Sequence, residues 1–167
     1  VISGNNIIKN SHNLKQVISG GQTGADLGGL LAAEWIGIPT GGMAAAGYKT
    51  ERGKQPLLGT RFKLEQHSSS QYPPRTEHNV QHSCVTIVFA SNLASAGTKA
   101  TVNFTVKHNK EYLLVDVNTP DVDAIVAFLK KTNPSVVNIA GNRESVSAGI
   151  TKQTRKVLYK ALSKFLV

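Results

Sequence analysis

The chain has 167 residues, 40% of them hydrophobic, with a formal net charge of +9, a length that fits one domain of ordinary size. Its single cysteine, Cys84, excludes an intramolecular disulfide and a Cys-rich zinc site, and no run of 18 apolar residues is present to cross a membrane as a helix. The excess of cations favours anionic partners but specifies neither fold nor activity.

Residues 1–16 read as an N-terminal tail or edge segment, rich in Asn and Ser over the first 13. Val17-Ile18-Ser19 is a short strand that runs into Gly20 and Gly21. Gln22, Thr23 and Gly24 follow, and then a helical pattern carries Leu27, Leu30, Leu31, Glu34 and Trp35. This is strand, tight loop, helix. The two glycines leave no Cβ between backbone and ligand. Thr23 is expected to cap the helix, with free N–H groups and the positive dipole end facing the loop. A phosphate suits such a place. The spacing matches neither the dinucleotide nor the P-loop fingerprint, and a Gly-rich turn that binds nothing fits the same residues. Gly24 and Gly28, four apart, are expected to let the helix lie close on the sheet, and Gly37 ends it.

Ile38 to Met43 is a short second strand through Gly41 and Gly42. Residues 44–60 read as a loop holding Lys49, Arg52 and Lys54, either functional or merely a solvated surface. Arg61 to Glu65 is expected as a short strand, 67–74 as a polar loop, and 75–80 as a short helix. Cys84 to Ala90 is apolar on both faces, as in a central parallel strand. Ser91 to Ala96 is a loop, and Gly97-Thr98 opens a helix to about His108. Glu111 to Val117 is the next strand. Thr119-Pro120-Asp121 starts another helix, with Asp121 and Asp123 near its positive end and Lys130 and Lys131 near its negative end. Val136 to Ala140 is the last strand. The final helix buries Val157, Leu158, Ala161, Leu162, Phe165 and Leu166, while Lys152, Lys156, Lys160 and Lys164, with Arg155, line another face. Such a row is either a solvated face or a surface for an acidic partner or nucleic acid.

Strands alternating with helices imply an α/β domain over 17–167, with a mostly parallel sheet and helices on both faces. Ligands of such sheets sit outside the carboxyl ends of the strands. Residues 19–24, 41–53, 91–98 and 141–145 all fall there.

These same stretches resemble the putative molybdenum carrier family, a circularly permuted, Rossmann-like branch of the superfamily that also holds the lonely-guy nucleotide hydrolases and the DNA-processing proteins. The matching residues are Ile18 to Asp26, Gly37-Ile38-Pro39 with Gly41-Gly42, and Tyr72-x-x-Arg75-Thr76-Glu77-x-Asn79-Val80. Gly97-Thr98 and Asn138-Ile139-Ala140-Gly141-x-Arg143-Glu144-Ser145 with Gly149-Ile150 complete them. Met43 to Gly47 lacks the family's thiol and lysine, Leu27 replaces a frequent arginine, and Asn142 a usual proline. The resemblance implies a nucleotide-like or phosphate-bearing ligand, a molybdenum cofactor being one candidate.

The candidate ligand residues are therefore Gly20, Gly21, Gln22, Thr23, Gly24, Asp26, Gly41, Gly42, Arg75, Glu77, Gly97, Thr98, Arg143 and Glu144. Arg75 and Arg143 can each make two parallel bonds to a phosphate, or pair structurally with Glu77 and Glu144. Asp26 either bonds polar edges of a ligand or serves only the helix dipole. Glu77 and Glu144 are the acids placed for acid–base work. The loop at Gly97-Thr98 lacks the glutamate of the hydrolase relatives, which counts against hydrolysis. His78 and His82 show no third metal ligand, and no metal site is expected. Cys84 reads as a small core residue.

The leading expectation is a cytoplasmic, homo-oligomeric binding protein for a phosphorylated nucleotide or pterin. A nucleotide-derivative N-glycosidic hydrolase and a nucleic-acid-binding module are the alternatives. The last is weakened because no stretch interleaves aromatic and basic residues. The lone cysteine and the absence of signal-peptide regions in Val1 to Asn10 underlie the compartment, and no membrane partner is expected.

Overall fold

The computed structural model describes residues 12–167; the expected tail falls mostly on 1–11, outside them. The strands are β1 (Gln16–Ser19), β2 (Thr40–Gly41), β3 (Met43–Ala44), β4 (Lys49–Thr50), β5 (Gly53–Lys54), β6 (Glu65–Gln66), β7 (Val85–Ala90), β8 (Glu111–Asp116) and β9 (Val136–Gly141). The helices are α1 (Ala25–Ile36), α2 (Leu57–Thr60), α3 (Tyr72–Gln81), α4 (Ala96–Lys107), α5 (Val122–Thr132) and α6 (Ile150–Phe165). Five strands form one sheet in the order β2-β1-β9-β7-β8, every neighbour parallel. The chain leaves β1 toward one edge and β7 toward the other, so the carboxyl ends of β1, β9 and β7 enclose the point where the order reverses, the usual ligand crevice of such sheets.

Alternation along the strands sorts the two faces. Val17, Val85, Ile87, Phe89, Val137 and Ile139 join Ala25, Ala32 and Ala33 of α1, Ile125 and Leu129 of α5, and the buried stripe of α6 in the main core. On the other face α3 packs beside α4, and buried Asn138 donates to Thr86 Oγ1 at 3.2 Å between β9 and β7. Helices cover both faces, as the alternation of elements implied. Gly37 ends α1 in the left-handed conformation, and Asp121 caps α5 by accepting from Ala124 N–H at 3.0 Å.

Four local expectations change. Gly28 faces α6, where a Cβ would lie 2.5 Å from the Thr151 carbonyl oxygen; Gly29 is the residue that meets the sheet, at Ile139. Residues 44–60 are not an open loop: a hairpin and α2 place Leu58, with Phe62 and Leu64, in a second core against Leu27, Leu30 and Leu31 of α1. The segment 61–65 is not a strand, since α2 precedes it and β6 begins at Glu65. Cys84 lies before β7 and is exposed, its Sγ 3.3 Å from Ser135 Oγ, so it is not a core residue.

Candidate functional site

Arg75 organises the carboxyl edge of the sheet. Pro73 and Pro74 start α3 without losing a useful donor, because first-turn N–H groups have no partner inside the helix. The next residue, Arg75, is buried, and its guanidinium lies across Gly20: a Cβ there would come within 2.6 Å of Nη1. Gly20 therefore makes room for an arginine. Nη1 donates to Thr76 Oγ1 at 2.5 Å, Nη2 stands 3.9 Å from Asp26 Oδ2, and Nε has no partner among the described residues. The Tyr72 ring has the Arg75 guanidinium 5.3 Å from its centroid and Lys49 Nζ 5.4 Å from it. Asp26, also buried, accepts from Gln22 N–H at 3.1 Å. Burial pushes its carboxyl up, and Arg75 with the N–H groups of Gln22 and Gly20 does not cancel that. The structural partner of Arg75 is thus Asp26, loosely held, rather than Glu77.

The loop between β1 and α1 uses its own donors. Gly21 N–H donates to Ser19 Oγ at 3.2 Å, Thr23 N–H to Gln22 Oε1 at 3.0 Å, Gly24 N–H to Thr151 Oγ1 at 3.0 Å, and Ala25 N–H to the Asn142 carbonyl at 3.0 Å. The expected free N–H groups are therefore turned inward. Thr23 does not cap α1; Gly24 holds that position, with no side-chain bond. A Cβ on Gly21, whose φ is +72°, would meet Leu58 and Leu64 at 2.8 and 2.9 Å, so this glycine serves the second core rather than the approach of a ligand.

Thr23 turns to Glu51, the site residue that the sequence reading missed. The Glu51 carboxylate accepts from the hydroxyls of Thr23 and Ser145 and from Ser145 N–H at 3.1 Å, with Arg143 Nε at 3.6 Å. Its own N–H donates to Gln22 Oε1 at 2.9 Å. Burial raises the Glu51 carboxyl, but Ser145, Thr23 and Arg143 outweigh it and hold it below the usual range. Arg143 accordingly pairs with Glu51, not with Glu144. Glu144 caps α6 instead, accepting from Gly149 N–H at 2.5 Å and Thr151 N–H at 3.1 Å. Burial raises its carboxyl too; those N–H groups, with the Thr151 hydroxyl and Arg52, bring it net downward. Arg52 also lines a cavity of about 230 Å³ beside Gly21, Thr23 and Leu27.

Asn142 stitches the next loop to this one. Its Oδ1 accepts from Ser91 and Asn92 N–H at 3.0 and 3.1 Å, and its Nδ2 donates to Ser95 Oγ at 3.0 Å and Thr98 Oγ1 at 3.3 Å. Thr98 is thereby buried and structural, while Gly97 stands in open space in the first turn of α4. Gly41 and Gly42 line a separate cavity of about 220 Å³ with Asn79, His78 and His82. Asn79 clips Met43 there with two bonds, at 2.8 and 2.9 Å. Glu77 is drawn away altogether, to Lys107 and His108 at the far end of α4, at 2.7 and 2.8 Å. His78 and His82 stack on each other at 3.9 Å, and among the described residues no three His, Cys, Asp or Glu side chains are grouped to hold a metal.

The model of the circularly permutated YpsA SLOG family matches residues 17–162. No curated protein matches the chain. Among solved structures, that of a "putative molybdenum carrier protein" from Syntrophus aciditrophicus SB is 29% identical, spans 93% of this chain and 97% of its own, and superposes with a TM-score of 0.80.

Proposed function

This chain belongs to the circularly permutated YpsA SLOG family, and from that premise we propose that it binds a phosphate-bearing, nucleotide-like or pterin ligand at the carboxyl ends of β1, β9 and β7. The single observation that carries the reading is Arg75: a buried guanidinium at the crevice, with Nε unpartnered among the described residues and its carboxylate 3.9 Å away. A buried cation left so incompletely paired is costly unless something anionic completes it. Lys49, also near the Tyr72 ring, adds charge, and the first turn of α4 at Gly97 adds a helix N-terminus. The loop N–H groups are occupied, so side chains and helix ends supply the recognition. A molybdenum cofactor, whose pterin carries a phosphate, is a candidate ligand that the neighbour's name supports.

Native mass spectrometry of the purified chain, followed by thermal shifts with adenosine and guanosine monophosphate, tests this. The expected result is a retained mass or a stabilising shift that Arg75→Lys sharply reduces, because a point charge replaces a planar fork. Retention unchanged by Arg75→Lys and by Arg75→Gln overturns it.

A further inference from the structure

A cavity of about 450 Å³ lies away from this crevice, between the last turn of α1 and the outer face of α6. Trp35, Lys152, Arg155, Lys156, Tyr159 and Lys160 line it. We propose that this groove is a docking surface for single-stranded nucleic acid, with Trp35 and Tyr159 as stacking platforms and the four cations along the phosphates.

Close packing of α1 on α6 creates the groove. Gly28 lets the two helices approach until a Cβ would lie 2.5 Å from the Thr151 carbonyl oxygen. Two turns later that places Trp35 beside the basic stripe, although more than a hundred residues separate them in the chain. Trp35 is 79% exposed, an unusual state for the largest apolar side chain. Residues 152 to 160 span about 12 Å of helix, on one face. Among the described residues none of the four cations lies within salt-bridge distance of a carboxylate; the neighbouring Glu34 is held by Arg61 at 2.7 Å, and Asp123 by Lys164 at 3.2 Å. Uncompensated charge flanking exposed rings is the arrangement that holds a single strand, since any base offers a face to stack.

Two other occupants fit less well. A two-fold dimer through this face would oppose the patch to itself and bring the cations of both copies together without a counter-charge. A membrane surface would call for a continuous apolar face along a helix, whereas only the two rings of Trp35 and Tyr159 stand among the cations here.

Trp35 is the only tryptophan, so its emission reads the groove directly. Titration of the full chain with oligothymidylate and oligouridylate is expected to quench it. Neutralising four phosphates gives a salt slope of about −3, or about a 50-fold loss of affinity between 50 and 200 mM salt. Lys156→Gln with Lys160→Gln should make that slope shallower by about 1.4. Measured by anisotropy of a labelled strand, Trp35→Ala should weaken binding about tenfold or more, and Trp35→Phe should largely restore it. These side chains are exposed, and thermal melting checks that each variant folds as the parent does. Emission unchanged at saturating oligonucleotide overturns the proposal, as does duplex bound as tightly as single strand. So does a Trp35-dependent dimer in sedimentation, or an emission shift with phosphatidylglycerol vesicles where oligonucleotides give none.

Discussion

Arg75 and Asp26 stand 3.9 Å apart in a buried setting, and their titration follows from that. Burial raises the Asp26 carboxyl above its ordinary 3.8, so the native state holds this proton more tightly than the unfolded chain does. The stability it contributes is present below 3.8 and lost as pH rises through the native pKa. Glu51 and Glu144 run the other way: held below 4.5, they contribute above that value and lose the contribution as pH falls through their native pKa. Arg75→Gln removes the attraction that holds Asp26 down. It should raise the Asp26 carboxyl further and destabilise by about 3 kcal/mol near neutral pH, less at about pH 3 where Asp26 is protonated. Carboxyl-carbon NMR titration and urea melts at both pH values read the two effects. Gly21 behaves differently from its neighbour. The glycine pair was legible in the sequence, but not which member faces what. Gly21→Val forces a branched side chain to a positive φ against Leu58 and Leu64, so a loss of about 3 kcal/mol in stability is expected. The fold would not survive it unharmed, as it would if Gly21 simply bordered the ligand.

At the scale of elements, the segment from β3 to β6 decides the shape of the site. Its Gly, Pro and Lys content reads as loop, and only the pairing of Lys49–Thr50 with Gly53–Lys54 reveals a hairpin that delivers Glu51 to Thr23 and Ser145. No periodicity announces a carboxylate whose partners lie 28 and 94 residues away. The long strands and amphipathic helices were legible because their burial repeats along the chain: β7, α5, β9 and α6 fall within a residue or two of expectation. Glu77 was misplaced for the converse reason. Its motif neighbours reach the site, yet on α3 it sits on the flank that meets Lys107 and His108. Leu58 anchors the excursion, being buried in the small second core. Leu58→Ala should cost about 3 kcal/mol. Because this core is distinct from the main one, amide exchange should quicken over 43–66 while β7 stays protected. Equal acceleration in both would show a single cooperative unit.

Across the whole molecule, the carboxylates are distributed in a way that bears on catalysis. Cleaving a nucleotide's glycosidic bond needs a carboxylate near the anomeric carbon, and usually one that can pass on a proton. Glu77 is tied down at the far end of α4. Glu144 closes the N-terminus of α6, and Glu51 closes the junction of three loops; both are supplied with donors and held ionised. In α4, the positions after Gly97-Thr98 hold Lys99, Ala100, Thr101 and Val102, with no acid. Asp26 is the exception, since burial favours its protonated form, but it lies beneath the loop beside Arg75. We therefore expect no appreciable release of base from adenosine or guanosine monophosphate, assayed by chromatography of long incubations at high protein concentration. Glu51→Gln, Glu144→Gln and Asp26→Asn are the controls. Base release that persists in the parent protein and vanishes in Asp26→Asn, with folding intact, would replace the binding function with a hydrolase whose proton comes from the buried pair.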